Sequence, residues 1–285
     1  MRLVLKGEKF LRKCLPIIFV LITLPLFSQI SYFNLYRPYQ TTLCCPVSIY
    51  GLGIETNYFL VDSNTARLDI PISLYWGMVD SLEIGFKVSA MSINSGSNSE
   101  KGVSDIIVGT KYNFLSPAKK KLYEENKSYD LSAFPDVSGE FCFSLPTGDF
   151  KKGLGTGAVG IILNWLLEKE IQLRSGNKFN SFFGVGYRIN TTNSDSYKYG
   201  NELFFNVGSY FRLKEKYILS CGFRGISHDN DEYYSNTITD SRYTENYIFG
   251  GLSYDLGVYQ QFFSAISIGL DSKSNILIFN IGMNY

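Results

Sequence analysis

Several residue types that support catalysis or metal binding are scarce in this sequence. It contains one histidine, His228, so little is available for a catalytic triad or an imidazole-rich metal site. The five cysteines include no C-x-x-C pair, which argues against zinc and against a disulfide framework. Lysine and arginine number 27 against 26 acidic residues, so no basic surface for nucleic acid is expected. Beyond the N-terminus, no apolar run is long enough for a membrane helix.

The N-terminal segment has the order of parts found in a secretion signal. Positive charges within residues 1–13 precede an apolar run at 14–27, and Ser28 or Gln29 offers a cleavage point. A retained membrane anchor is the alternative, but the run is shorter than the ~20 residues that span a bilayer. We expect residues 1–29 to be a signal peptide and residues 30–285 to form one domain, either soluble outside the cytoplasm or a membrane barrel.

Tyrosine, phenylalanine and glycine are abundant, and from about residue 48 apolar residues recur at every second position. In the segment 81–91, Leu82 and Phe86 fall on one face while Glu83 and Lys87 fall on the other. This pattern indicates strands, of which the chain has twelve. They span roughly 49–60, 66–76, 81–91, 104–114, 136–146, 157–167, 179–190, 201–213, 217–227, 245–256, 261–271 and 275–285.

The connections differ between the two ends of the predicted strands. Polar loops follow the third, fifth, seventh and ninth strands, whereas tight turns follow the eighth and tenth. An even strand number returns the chain to its starting side, as in an up-and-down barrel. The charged link at 115–135 does not fit this scheme, because it is long but lies at the end assigned to the tight turns.

Alternating strands fit a soluble sandwich, whose apolar face is inside, or a membrane barrel, whose apolar face meets lipid. The polar face here is rich in glycine and asparagine with isolated charges of both signs, as expected of a narrow lumen. We therefore predict an all-β fold: a single closed antiparallel up-and-down transmembrane β-barrel of about twelve strands in the outer membrane. Aromatic residues near the ends of apolar faces favour interfacial girdles, although they are also ordinary strand formers: Tyr50, Tyr58, Trp76, Tyr112, Trp165 and Tyr187.

The last predicted strand alternates apolar residues such as Phe279 with small polar ones such as Asn280, and it ends on Tyr285. A terminal strand with an aromatic end resembles the targeting signal of outer-membrane barrels. We therefore expect outer-membrane lipid and the outer-membrane assembly machinery, the latter through the C-terminal strand, as partners of this chain.

The parity of the strands predicts which charged side chains face inward. Eight acids and six bases fall on the polar face, and they could either line a water-filled path or pair into ladders that plug the barrel. They are Glu55, Arg67, Asp69, Glu83, Lys87, Asp105, Lys111, Glu140, Arg188, Glu202, Arg212, Arg224, Asp255 and Asp271.

The spacing of Gly155, Gly157 and Gly160 is that of a dinucleotide-binding fingerprint. A fingerprint requires a βαβ unit and an acid about 20 residues further on, but Glu168 and Glu170 are too close and the next segments alternate as strands. We therefore predict no nucleotide and no other cofactor.

Two segments together resemble a known family. The strand pattern D-x-x-x-G-x-K-Y-x-F precedes a hairpin with P-T-G-D and G-L-G-x-G, as in the outer-membrane barrel family named for the MetA pathway of phenol degradation. The matching residues are Asp105, Gly109, Lys111, Tyr112 and Phe114, then Pro146, Thr147, Gly148, Asp149, Gly153, Leu154, Gly155 and Gly157. The resemblance implies an outer-membrane protein that passes or handles small, often aromatic, molecules.

We therefore expect a narrow passive channel or transporter for small, aromatic or hydrophobic solutes, with no nucleic-acid partner. The alternative is a non-conducting structural or surface-binding protein that acts through the polar loops 92–103, 190–200 and 227–244. No enzyme activity and no metal are predicted, because His228 beside Asp229 and Asp231 is expected in a solvated loop without a nucleophile motif.

Overall fold

A computed structural model describes residues 50–79, 81–114, 135–172, 178–213, 216–256 and 261–284. Of the sixteen strands in the described residues, twelve run up and down, each antiparallel to its neighbours, around a closed barrel. This confirms the predicted fold. Among the described residues, no helix is both long and apolar enough to cross a membrane. The strands are β1 (Tyr50–Leu60), β2 (Thr65–Val79), β3 (Leu82–Ser95), β4 (Asn98–Val103), β5 (Ile106–Asn113), β6 (Asp136–Leu145), β7 (Gly160–Gln172), β8 (Lys178–Asn190), β9 (Tyr197–Lys198), β10 (Glu202–Leu213), β11 (Tyr217–His228), β12 (Glu232–Tyr233), β13 (Asn236–Thr237), β14 (Tyr243–Asp255), β15 (Gln261–Gly269) and β16 (Leu277–Asn284).

The barrel closes because the first and last strands pair and because β8 lies beside β10. β1 and β16 are antiparallel partners, with Gly53 opposite Asn284. Between β8 and β10, the Phe204 ring covers Gly186 and the Phe182 ring covers Gly208, so both contacts share one antiparallel register. A ring without free edges leaves no row of unpaired backbone groups for the surroundings to satisfy.

The barrel wall has apolar side chains on its outer surface and polar side chains on its inner surface, the reverse of the arrangement in a soluble protein. Along β7, the side chains of Leu163 and Trp165 are 44% and 54% exposed, whereas Asn164 between them is 1% exposed. Along β2, Ile72 and Leu74 point outward on either side of the buried Ser73. Such a continuous apolar outer surface is stable only when lipid covers it, so the barrel spans a membrane.

Aromatic side chains lie on the outer surface toward both ends of the strands. Tyr112, Phe114 and Trp165 form a chain of contacts near the ends where β5 meets β6, with the Phe114 ring centroid 4.9 Å from Tyr112 and 5.5 Å from Trp165. Tyr58 is exposed near the opposite end of β1. Rings at these levels suit the two membrane interfaces, where amphipathic side chains are favoured.

The two ends of the barrel carry different connections. We call the end with residues 61–64, 96–97, 146–159, 191–201, 229–242 and 270–276 the loop end, and the opposite end the turn end. In outer-membrane barrels, the longer loops are extracellular and the short turns periplasmic. The predicted signal peptide, most of the 115–135 link and Tyr285 lie outside the described residues.

One predicted polar loop turns out to be strand. β3 continues to Ser95 and β4 pairs with it, with Ala90 opposite Val103. β4 and β5 together occupy one position in the barrel wall, interrupted at Ser104 and Asp105. The side chains of β4 are exposed on both faces, so this hairpin extension has no apolar alternation that the sequence could reveal.

The outward orientation of the apolar rows predicts the cost of a charge on them. Ile72→Arg, in the middle of β2, should lower the free energy of unfolding in lipid vesicles by roughly 2–4 kcal/mol, because the guanidinium would face hydrocarbon. Urea titration followed by heat-modifiable gel mobility measures this change. The control Ser63→Arg, at an exposed loop position, should leave stability within ~0.5 kcal/mol of the parent. Equal stability of the two variants would contradict the assigned lipid face.

Candidate functional site

Side chains fill the turn-end half of the barrel interior. A cluster of buried residues contributed by β7, β8, β10, β11 and β14 occupies it: Leu166, Phe182, Tyr210, Ile218 and Phe249. The Tyr210 hydroxyl donates a hydrogen bond to Glu168 Oε1, and Asn180 Nδ2 donates to the same oxygen over 2.7 Å. This half of the lumen is therefore narrow and well packed.

A row of alternating charges crosses the inner wall beside this cluster. Glu83 on β3 lies opposite Lys111 on β5, and Lys111 lies opposite Glu140 on β6. Asn164 Nδ2 on β7 donates to Glu140 Oε2 over 3.0 Å. All four side chains are at most 4% exposed. An acid, base, acid and amide in sequence compensate one another, which is what burial of charges requires.

Above the packed half, toward the loop end, the lumen contains a cavity of about 330 Å³. Its wall comes from β1, β2, β3, β8, β10, β11, β14 and β16. Seven of the lining residues are acidic or basic: Arg67, Asp69, Lys87, Arg188, Glu202, Arg224 and Glu245. This cavity is the candidate functional site, since small-molecule pockets are concave and have a few charged groups converging on them.

The acidic groups of the cavity are engaged by neighbouring side chains. Asp69 Oδ2 accepts a hydrogen bond from Arg67 Nη2 over 2.9 Å, and Glu245 Oε2 accepts one from the Tyr247 hydroxyl over 2.6 Å. Glu202 Oε2 lies 3.9 Å from the guanidinium of Arg188. The carboxylates are thus directed at groups of the protein.

The histidine is part of this wall, which corrects the expectation of a solvated loop. β11 extends to His228, so its side chain turns into the lumen and is 14% exposed. Nδ1 lies 3.6 Å from Glu202 Oε1, Nε2 lies 3.3 Å from Glu245 Oε1, and the ring stacks on Tyr243 at 4.0 Å. Within the described ranges, no group of three histidine, cysteine or acidic residues could hold a metal ion.

Asp105 fastens the glycine-rich loop 146–159 over the barrel. Its Oδ1 accepts a hydrogen bond from the Gly148 backbone amide over 3.0 Å. Its Oδ2 accepts from both the backbone amide and the hydroxyl of Thr156, over 2.7 and 2.9 Å. We call Asp105, Gly148 and Thr156 the loop clamp. Because β4 ends and β5 begins on either side of Asp105, the carboxylate can turn toward the loop.

The glycines of this loop are explained by close packing and backbone angles. A Cβ on Gly155 would lie 2.9 Å from the Cα of Gly148, so neither position accommodates a larger residue. Gly153 and Gly157 have φ values of 70° and 66°, which favour glycine. Of the three fingerprint glycines, Gly155 and Gly157 thus belong to a folded loop. The predicted strand over 157–167 begins three residues later, at Gly160.

Other loops join the clamped loop across the mouth of the barrel. The Thr191 amide donates to the Val159 carbonyl over 2.9 Å. Asp231 Oδ1 accepts from the Gly200 amide over 2.7 Å, and Asp231 Oδ2 accepts from the Tyr197 hydroxyl. Burial raises the pKa of the Tyr199 hydroxyl, and the negative charges of Asp231 and Asp105 add to this effect. Loops 146–159, 191–201 and 229–242 are thus joined to one another at the mouth of the barrel.

The structure places the fourteen predicted inward charges in four settings. Four are buried in the wall: Glu55, Glu83, Lys111 and Glu140. Six line the cavity: Arg67, Asp69, Lys87, Arg188, Glu202 and Arg224. Near the turn end, Arg212 pairs with Asp255 over 3.6 Å, while Asp105 and Asp271 belong to the loop end. The last two depart from the expected lumen wall. Asp105 is occupied by the clamp, and Asp271 lies in the loop after β15, where its Oδ1 accepts from the Ser274 amide over 2.9 Å.

Two interior acids were missed by the parity argument. Glu168 lies beyond the predicted end of its strand at residue 167, whereas β7 continues to Gln172. Glu245 is the first residue of its predicted strand but was not counted as inward, although it shares parity with the predicted inward Asp255. Consistent counting of parity along longer strands would have found both.

A closed twelve-strand barrel with an apolar outer surface and a polar interior defines an outer-membrane β-barrel protein. The chain belongs to the family described as "Putative MetA-pathway of phenol degradation", whose model matches residues 60–285. This confirms the resemblance drawn from the two sequence motifs.

Solved structures agree with the fold. An outer membrane channel from Pseudomonas putida F1 superposes with a TM-score of 0.66 at 11% identity, covering 85% of this chain and 97% of that chain. The NanC porin gives a TM-score of 0.49 at 10% identity, covering 82% of this chain and 98% of that one. At 11% identity, the likeness to the channel from Pseudomonas putida F1 is one of fold. No curated protein sequence matches this chain significantly.

The loop clamp predicts how strongly loop 146–159 depends on one carboxylate. Asp105→Ala should accelerate hydrogen exchange at the Gly148 and Thr156 amides about tenfold or more, because each hydrogen bond to a charged acceptor is worth ~1.5–3 kcal/mol. Mass spectrometry of peptides covering the loop measures the rate. The control Asp62→Ala, which loses a similar carboxylate in the 61–64 turn, should leave this loop unchanged. Unchanged exchange in both variants would show that the clamp does not hold the loop.

Proposed function

We propose that the protein is a narrow passive channel for small solutes, aromatic or hydrophobic ones included, across the outer membrane. The observation that carries this proposal is the charged cavity of about 330 Å³ inside the barrel. A barrel that served only as a membrane anchor would gain nothing from a cavity with converging charged groups. Family membership and the fold shared with an outer membrane channel support the same function.

The packed half of the lumen makes this channel narrow. Eight-stranded barrels are filled by side chains and barrels of 16–18 strands hold open water channels, so twelve strands lie between these limits. Here the cluster around Phe182 and Tyr210 stands between the cavity and the turn end. A solute must displace these side chains, so we expect small, brief conductance steps rather than those of a wide porin.

A second candidate function is binding at the outer surface without conduction. The short sheet of β9, β12 and β13 holds a hairpin above the barrel, and Tyr233 and Tyr234 on it are 48% and 65% exposed. Exposed aromatic rings on a structured loop suit contact with another molecule. Under this hypothesis the filled interior would be structural, and the loops would be the working surface.

Outer-membrane lipid and the assembly machinery complete the proposed partners. β16 pairs with both β1 and β15, so it completes the barrel wall. We propose that this strand, together with Tyr285 after it in the sequence, presents the targeting end to the assembly machinery. No catalytic role is proposed for His228, which is placed between two carboxylates of the lumen wall.

Planar-bilayer recording with one pair of variants tests the channel function. The refolded protein should give small steps, and Phe182→Ala should raise the mean conductance at least about twofold, because removing a large interior ring widens the lumen. Phe183→Ala is the matched control, since that ring faces lipid and is 42% exposed. It should conduct as the parent does.

The same recordings separate the two candidate functions. An absence of steps at every voltage in both the parent and Phe182→Ala would reject the channel and leave the loop surface as the functional one. Steps that persist after Tyr233 and Tyr234 are both replaced by serine would show that conduction does not need the exposed hairpin.

A further inference from the structure

We propose that the lumen cavity binds small organic anions, with a carboxylate held between Lys87 and Arg224 and a compact apolar body packed beside it. This inference names the solute class of the proposed channel and therefore rests on that function. Nothing in the family description assigns a charge to the solute. Three features of the cavity support it: the position of the two cations, the bonds of the acids around them, and the apolar part of the wall.

Lys87 and Arg224 line the cavity from opposite walls of the barrel. β3, which carries Lys87, is six strands away from β11, which carries Arg224, in a ring of twelve. Both residues line the same cavity, and Arg224 is one of the charges that act on Lys87, after Glu55 and Asp69. Arg67 also acts on Lys87. Any solute that crosses this level of the lumen passes between positive charges from opposite sides.

These two cations lack carboxylate partners, whereas the acids of the cavity have theirs. Among the described residues, no carboxylate oxygen lies within 4.0 Å of the Lys87 ammonium or the Arg224 guanidinium. Beyond that distance, Glu55 and Asp69 attract Lys87 and Glu245 attracts Arg224, but Asp69 is already bonded to Arg67 and Glu245 to Tyr247. Since a poorly compensated charge in a confined space is costly, an incoming anion is stabilised there and an incoming cation is repelled.

The rest of the cavity wall offers apolar contact to the body of such an anion. Phe59, Pro71, Ile226 and Ile278 line it together with the charged groups. The Phe59 ring already carries the Arg67 guanidinium 4.2 Å from its centroid, which leaves its edge and the aliphatic side chains for the ligand. A volume of about 330 Å³ lies at the small end of ligand pockets, so one ring or a short chain fits.

Guanidinium chemistry favours a carboxylate in particular. An arginine presents parallel N–H donors that match the two oxygens of a carboxylate, and a lysine adds a point charge. A neutral alcohol of the same shape would gain only the apolar contacts. An ammonium of the same shape would face Lys87 and Arg224, and it would compete with protein groups already engaged by Asp69, Glu202 and Glu245.

Calorimetric titration of the full-length protein in detergent with three matched probes tests this inference. Benzoate should bind, while benzyl alcohol and benzylammonium should bind at least about tenfold more weakly, equivalent to ~1.4 kcal/mol. Lys87→Gln and Arg224→Gln should each reduce benzoate affinity about tenfold without strengthening that of the alcohol. Lys87→Arg and Arg224→Lys keep the charges and should retain most of the affinity.

Lys101→Gln is the matched control, because it removes a cation from the exposed face of β4. Its benzoate affinity should equal that of the parent. Heat-modifiable gel mobility identifies any variant that has not folded. If one glutamine variant has not folded, the other glutamine variant and the three-probe comparison on the parent decide the test. Equal affinity for all three probes, or benzoate affinity unchanged in the folded Lys87→Gln and Arg224→Gln variants, would overturn the inference.

The outcome is distinguishable from failure of the channel. Conductance steps without benzoate binding would refute the anion site and leave the channel in place. Benzoate binding that depends on Lys87 and Arg224 in a barrel without conductance would support the site and refute the channel. Where both hold, reversal potentials in a salt gradient should show a preference for chloride over potassium that the glutamine variants reduce.

Discussion

The constraint behind the rest of the structure is that hydrocarbon offers no hydrogen bonds. Each backbone amide and carbonyl at membrane depth must find its partner in the protein, so the strands form a ring that has no edge. Pairing of β1 with β16 meets this demand at the chain ends. β8 lies beside β10, where the contacts of Phe204 with Gly186 and of Phe182 with Gly208 share one antiparallel register. Once the ring is closed, alternation along each strand forces one row of side chains into lipid and the next into the lumen.

The size of the ring then determines how much interior space the inward-facing side chains must fill. Twelve strands enclose too little space for a wide water channel and too much for a single layer of aliphatic side chains. The turn-end half is filled by large rings and by the acid, base, acid series of Glu83, Lys111 and Glu140, in which each charge has an opposite neighbour. The loop-end half has a cavity instead, and there two cations lack carboxylate partners. The functional proposals follow from this difference between compensated and uncompensated charge.

The sequence predicted the barrel well because period two is imposed by lipid on every membrane-spanning segment. Predictions from the sequence were weaker for the segments that do not face lipid. β4 lies above the membrane with both faces exposed, so its strand carried no pattern. Loop 146–159 was singled out by its glycines, but its attachment to Asp105 joins residues 43 and 51 positions apart, which no local pattern reveals. The cavity depends on which inward side chains meet across the ring, and Lys87 and Arg224 are brought together only by closure.

Lipid-borne quenching of a fluorophore at single cysteines, in a variant without native cysteines, tests the assigned orientation most directly. Labels at positions 72, 74, 163 and 165 should be quenched strongly by lipids with a bromine or nitroxide in mid-chain, and labels at positions 73 and 164 should not. Quenching that failed to alternate between neighbours, or that was strongest at positions 73 and 164, would contradict the lipid-facing barrel and with it the lumen and its cavity.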